Sequence, residues 1–272
     1  MPGRRPGPPR RRPPLKAEER PRRPPPRGLG GEQVEGRRAV RELLAAGRRR
    51  VRELWLAEGT EDSPLLAEIA DLAQAKRVTV KRVGRGRLDG AARTEAPQGV
   101  LAYADPLPEV DLDDLARPDA FLLCLDGVTD PHNLGALLRT ADCAGVTGAV
   151  VPRHRAAHVT PTAAKAAAGA IEHVPMAVVP GIPTALRRLQ GLGVWTVGLD
   201  AAADRSLFDL DPDLARGPVA LVLGAEGTGL SRLARQRCDL LVSVPQHGHI
   251  ASLNVSAAGA VACFQVARLR AS

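Results

Sequence analysis

Apolar residues recur along this chain in two rhythms, and the changes between them predict its elements. Val34–Ala46 carries Val34, Val40, Leu43 and Leu44 at helical spacing and stops at Gly47. Val51–Ala57 alternates as a half-buried strand does, and Pro64–Ala75 repeats apolar positions at three and four. Val78–Val83 and Gly99–Tyr103 read as further strands. These elements predict a small α/β/α unit over 30–104. Asp105–Asp119 places Pro106, Pro108 and Pro118 among acidic residues and reads as a linker. Beyond it, buried strands are predicted at Phe121–Leu125, Gly148–Val151, Val194–Gly198, Val219–Leu223 and Leu240–Val244. Helices are predicted at Leu134–Ala144, Pro161–Ala168, Ile182–Leu189, Leu230–Arg237 and Leu253–Leu269. Strands alternating with helices predict an α/β domain over 120–272, its sheet mainly parallel and covered on both faces.

Charge is unevenly distributed. The chain of 272 residues has a formal net charge of +8, and residues 1–27 account for all of it, with ten basic and two acidic side chains. The body is therefore neutral, and any nucleic-acid surface on it must come from local clustering. Residues 1–29, rich in Pro, Arg and Gly, bury too little to offset ordering entropy and predict a disordered tail. That tail is either an anchor for RNA phosphates or a solvated extension. Cys124, Cys143, Cys238 and Cys263 lack CxxC spacing and sit in apolar stretches, which predicts buried, reduced thiols. No stretch reaches the roughly 20 apolar residues that span a bilayer, and no secretory h-region opens the chain. A soluble, cytoplasmic protein with no membrane partner is expected.

Three segments carry the chemistry. Each follows a short apolar run and leads into a helical pattern, so each places small or polar groups at the carboxyl end of a buried strand. The first is Asp126-Gly-Val-Thr-Asp-Pro-His-Asn-Leu-Gly-Ala-Leu-Leu-Arg-Thr140. Asn133 could be no more than a helix N-cap, and Arg139 lies six positions on, far enough round a helix to serve a different task. The second is Leu223-Gly-Ala-Glu-Gly-Thr-Gly-Leu230, whose Gly224, Gly227 and Gly229 let backbone approach a ligand closely. Glycine-rich turns also hold dinucleotides, but no GxGxxG follows a strand with an acidic residue about 20 positions on. Glu226 would repel a phosphate, whereas beside a sulfonium or an arginine it is favourable. The third is Val244-Pro-Gln-His-Gly-His-Ile-Ala-Ser-Leu-Asn-Val-Ser256. Ser252 could be only an N-cap, and His247 and His249, two apart with no third ligand nearby, argue against a metal site.

Together these segments resemble the three signature motifs of the SpoU (TrmH-like) RNA 2'-O-ribose methyltransferases of the SPOUT superfamily. The order of elements before residue 105 is similar to the L30e-like substrate-binding domain of many such enzymes. The resemblance implies a trefoil-knotted C-terminal sheet, S-adenosylmethionine as cofactor, and a ribose hydroxyl of structured RNA as acceptor. The 23S rRNA guanosine subgroup is the nearest match; a tRNA ribose methyltransferase and a non-catalytic RNA-binding relative are the alternatives. It also implies a homodimer whose apolar contact involves the last helix. The family's catalytic positions fall on Asn133, Arg139, Glu226, Ser252 and Asn254, and its cofactor contacts on Gly224, Val244 and Leu253, with Leu223 and Gly229 beside them. In the family the motif-three proline is followed by Met, where this chain has Gln246 and His247. Methyl transfer from a sulfonium is an in-line displacement, so positioning supplies most of the rate. The acceptor hydroxyl needs a base or a polarising contact. Arg139, given that part by the resemblance, keeps its proton under ordinary conditions. It either loses that proton beside Glu226 and a substrate phosphate, or stays charged and stabilises the developing alkoxide while a neighbouring group takes the hydroxyl proton.

Overall fold

In the computed structural model, residues 28–59, 63–154, 158–250 and 252–272 are described. Two sheets organise them. The first comes from β1 (Gln33–Glu35), α1 (Arg37–Ala46), β2 (Val51–Ala57), α2 (Pro64–Ala75), β3 (Thr79–Val83), α3 (Arg85–Ala91) and β4 (Val100–Ala104). Its order is β1-β4-β2-β3. Val40, Leu43 and Leu44 of α1 and Ile69 and Ala73 of α2 bury one face against Leu54, Leu56, Val100 and Ala102. Leu88 of α3 covers the other face beside Val83 and Leu101.

A short helix, α4 (Leu112–Leu115), leads into the second sheet. Then follow β5 (Phe121–Asp126), α5 (Pro131–Cys143), β6 (Gly148–Pro152), α6 (Pro161–Ala166), β7 (Met176–Val179), α7 (Ile182–Gly191), β8 (Trp195–Leu199), α8 (Pro212–Arg216), β9 (Val219–Gly224), α9 (Arg232–Arg237), β10 (Leu240–Val242) and α10 (Val255–Ala271). The order is β10-β8-β9-β5-β6-β7, with every pairing parallel. The all-apolar Val219–Gly224 is buried throughout, as a central strand sandwiched between helices must be. Residues of α5, α6, α8 and α10 pack on one face, those of α4, α7 and α9 on the other. Gly259 lets α10 seat directly on α5, since a Cβ there would lie 2.3 Å from Leu137 Cδ2. Arg270 anchors the end of α10 by donating to the carbonyls of Asp119, Ala215 and Gly217.

Several expectations are corrected. The stretch predicted as one helix from Val34 is a buried strand, then a helix from Arg37; Gly36, at φ 93°, breaks it, and β1 pairs with β4. A three-residue strand is too short to show its own rhythm. β7, α3 and α8 lack a predicted counterpart, being short or sparsely apolar. Of the tail, residues 1–27 lie outside the described residues. Leu29 is buried rather than solvated, and its carbonyl accepts from Val159 N at 2.9 Å. The linker is docked: Leu107 and Leu115 are buried, and Val110 N donates to Met176 O at 3.0 Å. Cys143 is exposed at the end of α5, against the expectation of burial. Burial pushes the thiols of Cys238 and Cys263 up to about 12 and that of Cys124 further, so all three stay protonated at neutral pH. Among the described residues no helix is long and apolar enough to cross a membrane.

The two sheets are joined by a buried ion pair. Arg49, just before β2, grips Glu172 with Nε at 3.0 Å and Nη2 at 2.6 Å, both side chains at most 2% exposed. Its Nη1 also donates to the carbonyls of Gly31 and Asp105. Removing one partner strands a buried charge, which costs about 3–5 kcal/mol. Glu172→Ala is therefore expected to lower unfolding stability by about that amount in urea titration. A loss below about 1 kcal/mol, the level of a surface pair, would show that this pair does not hold the sheets together.

Candidate active site

All three motif segments emerge at the carboxyl ends of the parallel strands. Asp130, not Asn133, caps α5, accepting from His132 N at 2.6 Å and Asn133 N at 3.3 Å. Asn133 is thus inside the helix with its side-chain amide free for another task. Asn254, not Ser252, caps α10, its Oδ1 accepting from Ser256 N at 2.8 Å. Both capping-only readings of the candidate residues fail on geometry.

The freed amides converge on one carboxylate. Glu226 Oε2 accepts from Asn133 Nδ2 at 3.0 Å, and Oε1 accepts from Asn254 Nδ2 at 3.2 Å. Asn254 Nδ2 also donates to Asn133 Oδ1 at 3.1 Å. One residue from each motif closes this triangle. The loop bearing Glu226 is itself tight. Ala225 and Gly229 exchange backbone hydrogen bonds at 3.0 and 2.9 Å, and Asp126 Oδ2 accepts from Ser231 N at 2.7 Å. Gly224 is required by close approach: a Cβ there would lie 2.0 Å from the Gly229 carbonyl carbon.

Beside the triangle lies a cavity of about 320 Å³, within the range of small-molecule sites. Leu199, Leu223, Leu230, Val244 and Leu253 give it apolar walls; Gly224, Glu226, Gly229 and Ser252 line it as well. Gln246, the departure from the family pattern, folds back to donate to Val244 O at 3.2 Å and joins the lining. Missing from the sequence reading are Asp200, following β8, and Arg235 on α9; they pair at 2.8 Å and line the cavity. Their only signal is that Asp200 follows a strand end, where such sheets bind ligands.

Arg139 stands apart. It is exposed on α5 and lines a different cleft, facing α1 and α6, with no contact to Glu226. One chain therefore brings together every candidate residue except this arginine.

The SpoU rRNA Methylase family profile matches residues 120–264, more than half of the chain. The chain belongs to this family. An RNA 2'-O ribose methyltransferase substrate-binding profile matches residues 33–110. Two curated relatives, from Shewanella oneidensis and Pseudomonas aeruginosa, are both named 23S rRNA (guanosine-2'-O-)-methyltransferase RlmB. They are 44% and 43% identical, each over 88% of this chain and 98% and 97% of their own length. The SpoU methyltransferase AviRb from Streptomyces viridochromogenes, solved with AdoMet, superposes with a TM-score of 0.73 at 28% identity, over 88% of this chain and 90% of that one.

For this SpoU chain, a methyl at position 224 forces the 225–230 loop to move. Overpacking of that kind costs about 1–3 kcal/mol. Gly224→Ala is expected to weaken binding of S-adenosylmethionine by about ten- to a hundredfold in calorimetry. Unchanged affinity would remove the loop from the binding site.

Proposed function

We propose that this protein transfers a methyl group from S-adenosylmethionine to a ribose 2'-hydroxyl of 23S rRNA, at a guanosine. The observation that carries this reading is the Asn133–Glu226–Asn254 triangle beside an apolar cavity at the strand ends. The relatives of that activity match nearly the whole chain, and their family supplies the substrate.

The residues present fit the cofactor. The apolar walls suit an adenine ring, the backbone of the 225–229 loop suits its polar edges, and no phosphate cradle competes, because Glu226 would repel one. When bound, S-adenosylmethionine supplies a methyl already activated on sulfonium. Leu223, Gly224, Gly229, Val244 and Leu253 enclose it, and Ser252 and Asn254 orient groups at the rim. Glu226 positions rather than reacts, since both its oxygens are engaged by amides. Arg139 stabilises the negative charge developing on the ribose oxygen, and the hydroxyl proton passes to solvent as that oxygen takes the methyl and the sulfonium leaves as a neutral thioether.

The separation of Arg139 from the cavity favours a homodimer. α10 is apolar nearly all round; one side buries Ala262, Cys263 and Val266, while Phe264 remains 52% exposed. A helix of that kind asks for cover on both sides. A second copy seated on α10, which packs on α5, completes the site with its own Arg139. The C-terminal knot belongs to the same reading. β10 lies at the sheet edge beside β8, and α10 returns to pack against β9 and α5, an arrangement compatible with a threaded chain. The domain over 30–104, L30e-like in this reading, presents RNA, and the basic tail adds non-specific affinity.

Arg139→Ala is expected to lower methylation of a 23S rRNA transcript, mapped as 2'-O-methyl sites, by at least roughly a hundredfold. Its affinity for S-adenosylmethionine should stay at the wild-type value; parallel loss of both would overturn the assigned role. Phe264→Glu is expected to give a monomer in sedimentation, with methylation lost. A dimer of undiminished activity would place the contact elsewhere.

A further inference from the structure

The cleft holding Arg139 has more built into it than that one residue. It spans about 530 Å³ between the two sheets and is lined by Arg37 and Arg38 of α1, Arg139 of α5 and Lys165 of α6. Among the described residues, no carboxylate forms an ion pair with any of the four. Arg37 donates to neutral groups, Gln98 O at 3.1 Å and Ser63 Oγ at 3.1 Å, and Lys165 donates to Ala96 O at 2.7 Å. Those contacts hold the cations in place without neutralising them.

The acid at the cleft does not balance the charge. Glu35 lines it but is buried, and its oxygens accept from Gln33 Nε2, Arg93 N and Thr94 N. Arg37 and Arg38 are also the first two residues of α1, whose opening turn holds no acid. Cations are disfavoured at that positive end of a helix, and anions are favoured. Four unneutralised cations from both domains, two of them at an unfavourable helix end, are an arrangement that a bound polyanion stabilises.

We propose that this cleft binds the phosphodiester backbone of the substrate RNA. Arg38 and Lys165 contact phosphates flanking the reacting nucleotide, and Arg37 braces the wall they stand on. The proposal deepens the methyltransferase reading by naming the path of the strand, and it rests on that reading only for the identity of the RNA. Arg38 and Lys165 serve as positioning residues, remote from the cofactor cavity.

The test is binding of a labelled 23S rRNA fragment to the full chain across a salt series, read by anisotropy, beside methylation kinetics on the same RNA. For Arg38→Ala and Lys165→Ala the slope of log affinity against log salt should fall by about 0.7–0.9 per variant, and by roughly twice that in the double variant. KM for RNA should rise, with kcat and S-adenosylmethionine affinity near wild type. Lys165→Arg should keep the wild-type slope, and Arg216→Ala, on the distant α8, should also leave it unchanged. Because Arg38 makes no side-chain bond within the described residues, its variant separates phosphate contact from domain docking. Unchanged slope and affinity in the double variant would overturn the proposal, as would an equal fall with Arg216→Ala. A wild-type protein that binds with these slopes yet methylates nothing would support the cleft and defeat the methyltransferase reading.

Discussion

The site depends on one carboxylate accepting from two amides that are far apart in sequence. Asn133 lies 93 positions before Glu226, and Asn254 lies 28 after it. Charge-assisted hydrogen bonds are the stronger kind, yet each is worth only about 1.5–3 kcal/mol at best. They suffice because the expensive work is done beneath them. β5, β9 and the strands beside them already bring the three loops to the carboxyl end of the sheet, and the triangle only sets their register. Asn254 makes that register rigid. Its Oδ1 caps α10 while its Nδ2 meets Glu226, so the start of the last helix is indexed to the glycine loop. An amide does both tasks at once; a carboxylate would cap the helix but repel Glu226.

A second constraint sets the larger geometry. The Arg49–Glu172 pair and the carbonyls that Arg49 also serves hold the first sheet against the second. A pair this deeply buried is weak support for overall stability, because desolvation offsets much of its attraction. What it supplies is orientation, since an apolar contact of similar area would tolerate sliding. Fixed orientation matters here because the cationic cleft has one wall from each domain. Were the domains free to swing, Arg38 and Lys165 would not stay within reach of one strand.

Much of this was legible in the chain. The strand candidates 121–125 and 219–223 lie within observed strands, because central parallel strands are apolar on both faces and stand out from their surroundings. The motif loops were legible for the same reason, since they end those strands. Residues whose meaning comes from a distant partner were not. Asn133 was legible as a motif position, but spacing left capping open as its role, because it cannot show that Asp130 does the capping. Asp200 and Arg235 carry no motif and become a pair only when β8 and α9 are folded together. Leu29 looked like part of a solvated tail because one apolar residue makes no pattern; it takes the groove beside Val159 to bury it. Glu172 sits in a stretch with no clear rhythm, and its partner is 123 positions away.

The placement of Arg139 follows from helix geometry and has a consequence for the whole reaction. Six residues on an α-helix advance about 9 Å and turn through roughly 240°. Asn133 and Arg139 on α5 therefore cannot face one small cavity; Asn133 meets Glu226 and Asn254, and Arg139 lines a separate cleft. A transferring carbon and the oxygen receiving it must meet within about 3–3.5 Å. A single chain would have to bend α5 or carry the nucleotide from cleft to cavity between binding and reaction. A second copy needs neither. With α10 stacked on α5 and Phe264 exposed on its outer face, the proposed two-fold pairing across that face would set one chain's α5 against the other's cavity. In that proposed dimer the RNA would lie along one protomer's cations while its ribose meets the methyl donor held by the other. The proposed pairing would then account for the exposed Phe264 and the isolated arginine together.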